Sequence, residues 1–327
     1  MKKLTIILAA ILLATQTFGQ TAVDQQQKRH AVVGLSSIYM RIAPDYESAL
    51  ETQELMGTVV EITAEQGYWR EIVSPQPYKA WCTEKGIVEM SPEALKAYQD
   101  APKCIFTGLY GHVYETPSSK AQTICDLVGG DIMRLAKEAK KGDQKAKGWT
   151  RIVLPSGEEG WVKSEEIKTH EGFRKIAKGE GDSESISDQQ MEDILATAFL
   201  LKGVPYFWGG MTPKGVDCSG LVRWAYLMNG ILLPRNASQM VHCGDDVPLE
   251  LPQNGKAAGI SNLRRGDLVF FGTPSTENKP QRVTHVGIYI GDGRIIHSSH
   301  LVRVNSLNPE ESDYYENAHK LIAARRL

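Results

Sequence analysis

Cysteine is scarce in this chain, with only Cys82, Cys104, Cys125, Cys218 and Cys243 among 327 residues. No two of them stand in a Cys-x-x-Cys spacing, which argues against a structural zinc site, and their odd number leaves at least one thiol unpaired within the chain. Excess charge is absent too. The 37 Lys and Arg against 39 Asp and Glu leave a net charge of −2, so there is no basic field to hold nucleic acid. Beyond the first residues there is no apolar run long enough for a membrane span. At 42% hydrophobic and 23% charged, the composition lies outside the range in which chains stay disordered. The length suits two or three packed units of about 100–200 residues.

What is present begins with Lys2 and Lys3 ahead of a mostly apolar run from Leu4 to Ala14. As a helix that run rises only about 16 Å, half of a bilayer core, so residues 1–19 read as a secretory signal peptide cleaved after Gly19. No Cys lies at the junction to take a lipid. The mature chain is expected to be exported to the periplasm or beyond the cell, without a membrane span, and monomeric.

The first half repeats itself. Trp69-x-x-Ile72-Val73-x-Pro75 aligns with Trp149-x-x-Ile152-Val153-x-Pro155 at an offset of 80, and Trp81 and Trp161 each follow twelve residues later. Upstream, Leu55-x-Gly57-x-Val59-x-x-Ile62 matches Val128-x-Gly130-x-Ile132-x-x-Leu135. Short β-branched and aromatic runs broken by Gly, Pro and Ser predict two small all-β units, at residues 30–95 and 103–172. A polar, Gly-rich stretch follows, placing a linker at 173–186. Ser187-x-x-Gln190 then resembles a capping box, and Met191, Ile194, Leu195, Ala198 and Leu201 recur at helical spacing until Gly203-Val204-Pro205, opening a new domain over 187–327.

Chemistry concentrates in that domain. Gly215-Val216-Asp217-Cys218-Ser219-Gly220 precedes an amphipathic helix, so Cys218 opens a helix where free N–H groups and the helix dipole favour a thiolate and can receive an oxyanion. The plain alternative is a small buried hydrophobe, with Asp217 and Ser219 as N-caps. A base shifts the balance toward a nucleophile. Thr284-His285-Val286-Gly287-Ile288-Tyr289-Ile290 reads as a strand that turns at Gly291-Asp292-Gly293 into Arg294-Ile295-Ile296-His297-Ser298. A three-residue loop with Gly293 left-handed pairs 290 with 294 and 287 with 297, and sets both histidines on one face across Gly287. A two-residue loop would put them on opposite faces. His285 is then the general base and His297 its orienting partner.

Together Tyr206-x-Trp208-Gly209-Gly210, Asp217-Cys218-Ser219-Gly220-Leu221-Val222, Pro234-Arg235 with Ser238-Gln239, Arg265-Gly266-Asp267-Leu268-Val269-Phe270-Phe271, His285-Val286-Gly287-Ile288-Tyr289-Ile290-Gly291 and Ile295-Ile296-His297-Ser298 resemble the NlpC/P60 family of papain-like cysteine peptidases. The repeats resemble bacterial SH3-like domains, as Gly148-Trp149-Thr150-Arg151-Ile152 and Gly160-Trp161-Val162 illustrate; Tyr68-Trp69 and Ala80-Trp81-Cys82 depart from the pattern in the first copy. The arrangement is most similar to the dipeptidyl-peptidase VI group, γ-D-glutamyl-L-diamino acid endopeptidases.

The resemblance implies an α+β chain: a papain-like catalytic domain with an antiparallel sheet and helices, preceded by two SH3-like barrels. It implies Cys218 as nucleophile, His285 as base and His297 as third polar residue, with no metal or cofactor. Peptidoglycan stem peptides, L-Ala-γ-D-Glu-L-diamino acid with a free amino end, are the implied substrate. For binding it points to Tyr206, Trp208, Asp217, Ser219 and Ser238, with Glu84 or Tyr114 completing the pocket for the L-Ala ammonium. The rival readings are a non-catalytic wall-binding protein, and a thiol amidase or acyltransferase on the same fold.

Overall fold

The computed structural model describes residues 28–75, 78–137, 146–176, 186–250 and 259–327. The expected signal peptide and most of the expected linker lie outside the described residues. No helix among the described residues is long and apolar enough to cross a membrane.

The first seven strands are β1 (Arg29–Val33), β2 (Ser37–Arg41), β3 (Leu50–Leu55), β4 (Val59–Gln66), β5 (Trp69–Ser74), β6 (Tyr78–Thr83) and β7 (Ile87–Met90). They form one sheet in the order β3-β2-β6-β5-β4-β1-β7. The next seven are β8 (Lys103–Phe106), β9 (Tyr110–Tyr114), β10 (Thr123–Val128), β11 (Ile132–Leu135), β12 (Trp149–Val153), β13 (Glu159–Lys163) and β14 (Ile167–His170). Their order, β10-β9-β13-β12-β11-β8-β14, repeats the first strand for strand. The offset seen in the sequence is therefore structural: Trp69 opens β5 where Trp149 opens β12, and Trp81 pairs with Arg41 as Trp161 pairs with Tyr114. In each sheet the pairing leaves two edges, so the closed barrel expected from the sequence gives way to a seven-stranded sheet around its own apolar core.

A helix absent from the sequence reading, α1 (Pro92–Asp100), joins the sheets. Ser91 caps it, accepting the Ala94 N–H, with Pro92 in its first turn, and Tyr98 donates its hydroxyl to the Gly57 carbonyl. The sheets lock together at Asp131, a fully buried carboxyl that accepts the N–H groups of Met56 and Val128. Gly57 is required here: at φ +87° it lies so close that a Cβ would stand 2.4 Å from the Ile132 carbonyl oxygen.

The C-terminal domain starts inside the expected linker, where β15 (Arg174–Lys175) pairs in parallel with β18 (Ile231–Leu232). Helix α2 (Asp188–Leu200) is capped by Ser187, but Gln190 sends its side chain to the Asn229 carbonyl instead of back to the cap, so only half of the expected capping box forms. A short ribbon, β16 (Met211–Thr212) with β17 (Gly215–Val216), leads into helix α3 (Cys218–Leu227). Helix α4 (Ala237–Met240) follows. The remaining strands are β19 (Asp245–Asp246), β20 (Leu268–Thr273), β21 (Arg282–Gly291), β22 (Arg294–Ser299), β23 (Leu301–Ser306) and β24 (Leu321–Arg326), ordered β19-β24-β20-β21-β22-β23 and antiparallel at every pairing. Val286, Ile288 and Ile296 of this sheet join Leu221, Val222 and Ala225 of α3 in one core.

The three units meet in an apolar cluster of Leu55, Ile105, Val128, Ile132, Leu227 and Leu232. Burying side chains of this size is worth roughly 1.5–3 kcal/mol each. Beside it the buried Trp224 indole donates to the Gly129 carbonyl at 2.7 Å. Trp224→Phe strands that carbonyl and is expected to cost about 1–3 kcal/mol in denaturant unfolding. A loss below about 0.5 kcal/mol would show that this bond does not couple the units.

Candidate active site

Cys218 is the first residue of α3, and its thiol is free, as are the other four. The turn before it is held by Asp217. One carboxylate oxygen accepts the Gly220 N–H at 2.6 Å, the Ser219 hydroxyl at 3.1 Å and Arg235 Nη1 at 3.1 Å. The other accepts the Gly209 N–H at 3.0 Å and Arg235 Nη2 at 2.5 Å. Arg235 is itself buried and extends its Nε to the Thr52 hydroxyl on β3, 2.7 Å away. The carboxylate expected to await a ligand ammonium thus already has an internal counter-ion. Ser219, also buried, accepts from Arg235 at 2.9 Å.

The two histidines meet, by a route the sequence did not show. Ile288 pairs with Ile296 and Tyr289 with Ile295, the register that sets Gly287 opposite His297. The turn, however, has two residues, Asp292 and Gly293, both left-handed at φ 51° and 69°, closed by a Gly291–Arg294 pair. An irregularity between Tyr289 and Gly291 supplies the extra residue that the expected 290–294 pairing had put in the loop. A Cβ on Gly287 would come within 3.2 Å of the His297 Cβ. His285 Nε2 lies 2.8 Å from His297 Nδ1, and His297 Nε2 lies 2.9 Å from Asn305 Oδ1. Tyr315 stands edge-on to His297 at 4.6 Å between ring centres and 5.5 Å from His285.

Burial dominates the electrostatics. It pushes the Cys218 thiol up to about 11, Asp217 adding to the rise, while N–H groups of Val286 and Ser219 directed at the sulfur oppose it. Burial holds His285 down at about 3, assisted by His297, and His297 at about 4. Both shifts favour the neutral forms, a thiol and an imidazole, over the charged ones that helix-terminus arguments alone suggest. Tyr206 is pushed up to about 12 by burial and by the nearby Cys218 and Asp217.

The other expected binding residues divide. Trp208 is 66% exposed, on the loop next to Gly209, and Ser238 is exposed on α4, lining a depression with Val283 and Gln281. Glu84 is engaged within the first sheet, paired with Arg70 at 3.0 Å. Tyr114 lies in the second sheet, edge-on to Trp149 at 5.5 Å. In their stead β3 approaches the site: a Cβ on Gly209 would lie 3.1 Å from the Glu51 carbonyl, and Met211 donates its N–H to Gln53. The half-buried Glu51 carboxylate accepts the Tyr78 hydroxyl at 2.6 Å. Glu51, Tyr78, Arg235, Asn305 and Tyr315 were not singled out from the sequence. Arg235 was visible beside Pro234 without a role, and strand alternation sets Asn305 on the face of Arg303, which pairs with His297.

Both imidazoles are held neutral in the fold, whereas in the unfolded chain they protonate below about 6.5. The unfolded state then binds more protons, so their stabilising contribution is complete above that pH. It is lost as pH falls toward 4, by up to about 1.4 kcal/mol per pH unit for each ring. Denaturant unfolding from pH 7 to 4 is expected to show this slope, and a His297→Gln variant a shallower one. Equal slopes would mean that the rings are charged in the fold.

Residues 203–322 match the NlpC/P60 family. Along 254 residues the chain is 29% identical to a gamma-D-glutamyl-L-lysine dipeptidyl-peptidase of Bacillus subtilis, covering 77% of this chain and 73% of that protein. It is 26% identical to dipeptidyl-peptidase 6 of Lysinibacillus sphaericus, covering 86% and 93% respectively. The crystal structure of an NlpC/P60 family protein from Bacillus cereus superposes with a TM-score of 0.69 at 22% identity, over 91% of this chain and 99% of that one, so the shared fold includes both N-terminal sheets. Cys218, His285 and His297 all lie within the residues that match the NlpC/P60 family.

Proposed function

We propose that the chain is an exported cysteine peptidase that cleaves the γ-D-Glu–L-diamino acid bond of peptidoglycan stem peptides bearing a free N-terminal L-Ala. The observation that carries this reading is a free, helix-opening thiol in the same domain as two hydrogen-bonded neutral imidazoles. The names of the relatives, which act on γ-D-glutamyl-L-lysine or as dipeptidyl-peptidases, support the bond and the wall peptide. The N-terminal sheets, read as SH3-like units, then serve as part of the binding surface.

In this mechanism His285 takes the Cys218 proton as sulfur attacks the γ-carbonyl of D-Glu. N–H groups at the start of α3 receive the oxyanion, with Tyr206 beside them. The tetrahedral adduct collapses, His285 returns the proton to the diamino acid amine, and a thioester remains. Water, deprotonated by the same imidazole, releases L-Ala-D-Glu and the thiol.

The free amino end needs a counter-charge, and Arg235 has consumed that of Asp217. Glu51, oriented by Tyr78 and adjacent to the Trp208–Gly209 loop, fits that role better than Glu84 or Tyr114, which are engaged within their own sheets.

Cys218→Ala is expected to abolish release of L-Ala-D-Glu from L-Ala-γ-D-Glu-L-lysine or its diaminopimelate counterpart; an active alanine variant refutes the nucleophile. Glu51→Gln is expected to lower kcat/KM for the free-amine peptide about 10- to 100-fold, as loss of a charged hydrogen bond implies. If the N-acetylated peptide is cleaved as fast as the free one by the unaltered enzyme, the ammonium site is wrong.

A further inference from the structure

We infer that Asn305 is a positioning residue that fixes the tautomers of both active-site histidines, leaving Nδ1 of His285 as the one ring nitrogen free to take a proton. The inference rests on the reading of Cys218 and His285 as nucleophile and base, but its structural half can be measured without any reaction.

Asp313 O accepts the Asn305 side-chain Nδ2–H at 2.6 Å and the Ser306 N–H at 3.1 Å. An amide nitrogen cannot accept, so this contact orients the Asn305 side chain and turns its Oδ1 toward His297. Oδ1 is acceptor only, and His297 Nε2 at 2.9 Å must therefore carry the proton. A neutral imidazole has one N–H, so His297 Nδ1 is a bare lone pair. It can be satisfied at 2.8 Å only by an N–H on His285 Nε2. That leaves Nδ1 of His285 unprotonated. With Nδ1–H on His297 instead, its Nε2 lone pair would face the Asn305 oxygen in a buried site, two acceptors in contact.

The same loop holds the assembly closed. Asp313 and Glu311 both pair with Arg294 on β22, and Tyr315 donates its N–H to the Ser306 carbonyl, which brings its ring over both imidazoles. During proton transfer the Cys218 proton goes to His285 Nδ1, while the Nε2–H of His285 stays in its bond to neutral His297. Asn305 cannot take a proton, so the positive charge stays within the two imidazoles. Asn305 touches neither the reacting atoms nor substrate in this scheme.

Two measurements test it. In 15N-imidazole spectra of the resting enzyme at pH 7, both His285 and His297 are expected as neutral Nε2–H tautomers; an Nδ1–H pattern for His297 overturns the inference. Asn305→Ala is expected to mix the His297 tautomers and lower kcat about 10- to 1000-fold with KM within about threefold, below the roughly 10⁴-fold reached where a triad tautomer is inverted. Asn305→Asp keeps an acceptor on Nε2 and is expected to restore the Nε2–H signature and part of kcat. If alanine and aspartate variants lose kcat and melting temperature together with the His297 tautomer unchanged, Asn305 is only structural and the inference falls. If the tautomers behave as stated but unaltered enzyme cleaves no wall peptide, positioning stands and only the proposed reaction fails.

Discussion

The buried pair of Asp217 and Arg235 is the contact on which the C-terminal architecture turns. A carboxylate removed from water costs several kcal/mol unless its lone pairs are filled, and Asp217 fills them with three N–H or O–H donors and a two-pronged guanidinium. Each donor belongs to a different piece of the site: Gly220 to the helix behind Cys218, Gly209 to the Tyr206–Gly210 loop, Ser219 to the residue following the sulfur. Arg235 then passes the connection to Thr52 on the first sheet. One neutralised carboxylate therefore sets where the helix starts, where the loop lies and how the N-terminal sheet abuts both.

The start of a helix offers a thiolate up to about 2 kcal/mol. Burial acts in the other direction: desolvation is the largest influence on the sulfur and, with Asp217, raises the thiol to about 11. Desolvation outweighs the helix start, and burial that lowers His285 to about 3 favours its neutral form as well.

The features legible in the sequence are those whose signals are local. Asp217-Cys218-Ser219-Gly220 carries its own helix start, and the two histidines share a hairpin whose register follows from pattern, although a type of turn with two left-handed residues plus an irregular pair replaced the three-residue loop. The repeat was legible because the same strands recur at a fixed offset. Asn305 and Tyr315 were not, since their roles depend on a loop that folds back through Asp313, and nothing in Val302-Arg303-Val304-Asn305 distinguishes an orienting amide from a surface one. Glu84 and Tyr114 have partners within their own sheets, and a weak repeat alignment cannot say which edge faces a neighbouring domain. That edge is β3, through Glu51, Thr52 and Gln53. Helix α1 carries its signal in Ser91-Pro92-Glu93, a capping serine followed by a first-turn proline, in the segment between the repeats.

The N-terminal sheets are more than appendages to a complete catalytic unit. Detaching them would leave the Trp224 N–H without the Gly129 carbonyl, Arg235 Nε without Thr52 and the Met211 N–H without Gln53, all of them buried in the intact chain. It would also expose Leu227 and Leu232 at the junction cluster. Unfilled buried donors cost about 1–3 kcal/mol each, a large share of a domain's net stability. The helix that presents the sulfur is therefore stabilised at its C-terminal end by the second sheet, while the first sheet supports Arg235 behind Asp217 at the other end. The position of the reactive atom is set by contacts from all three units.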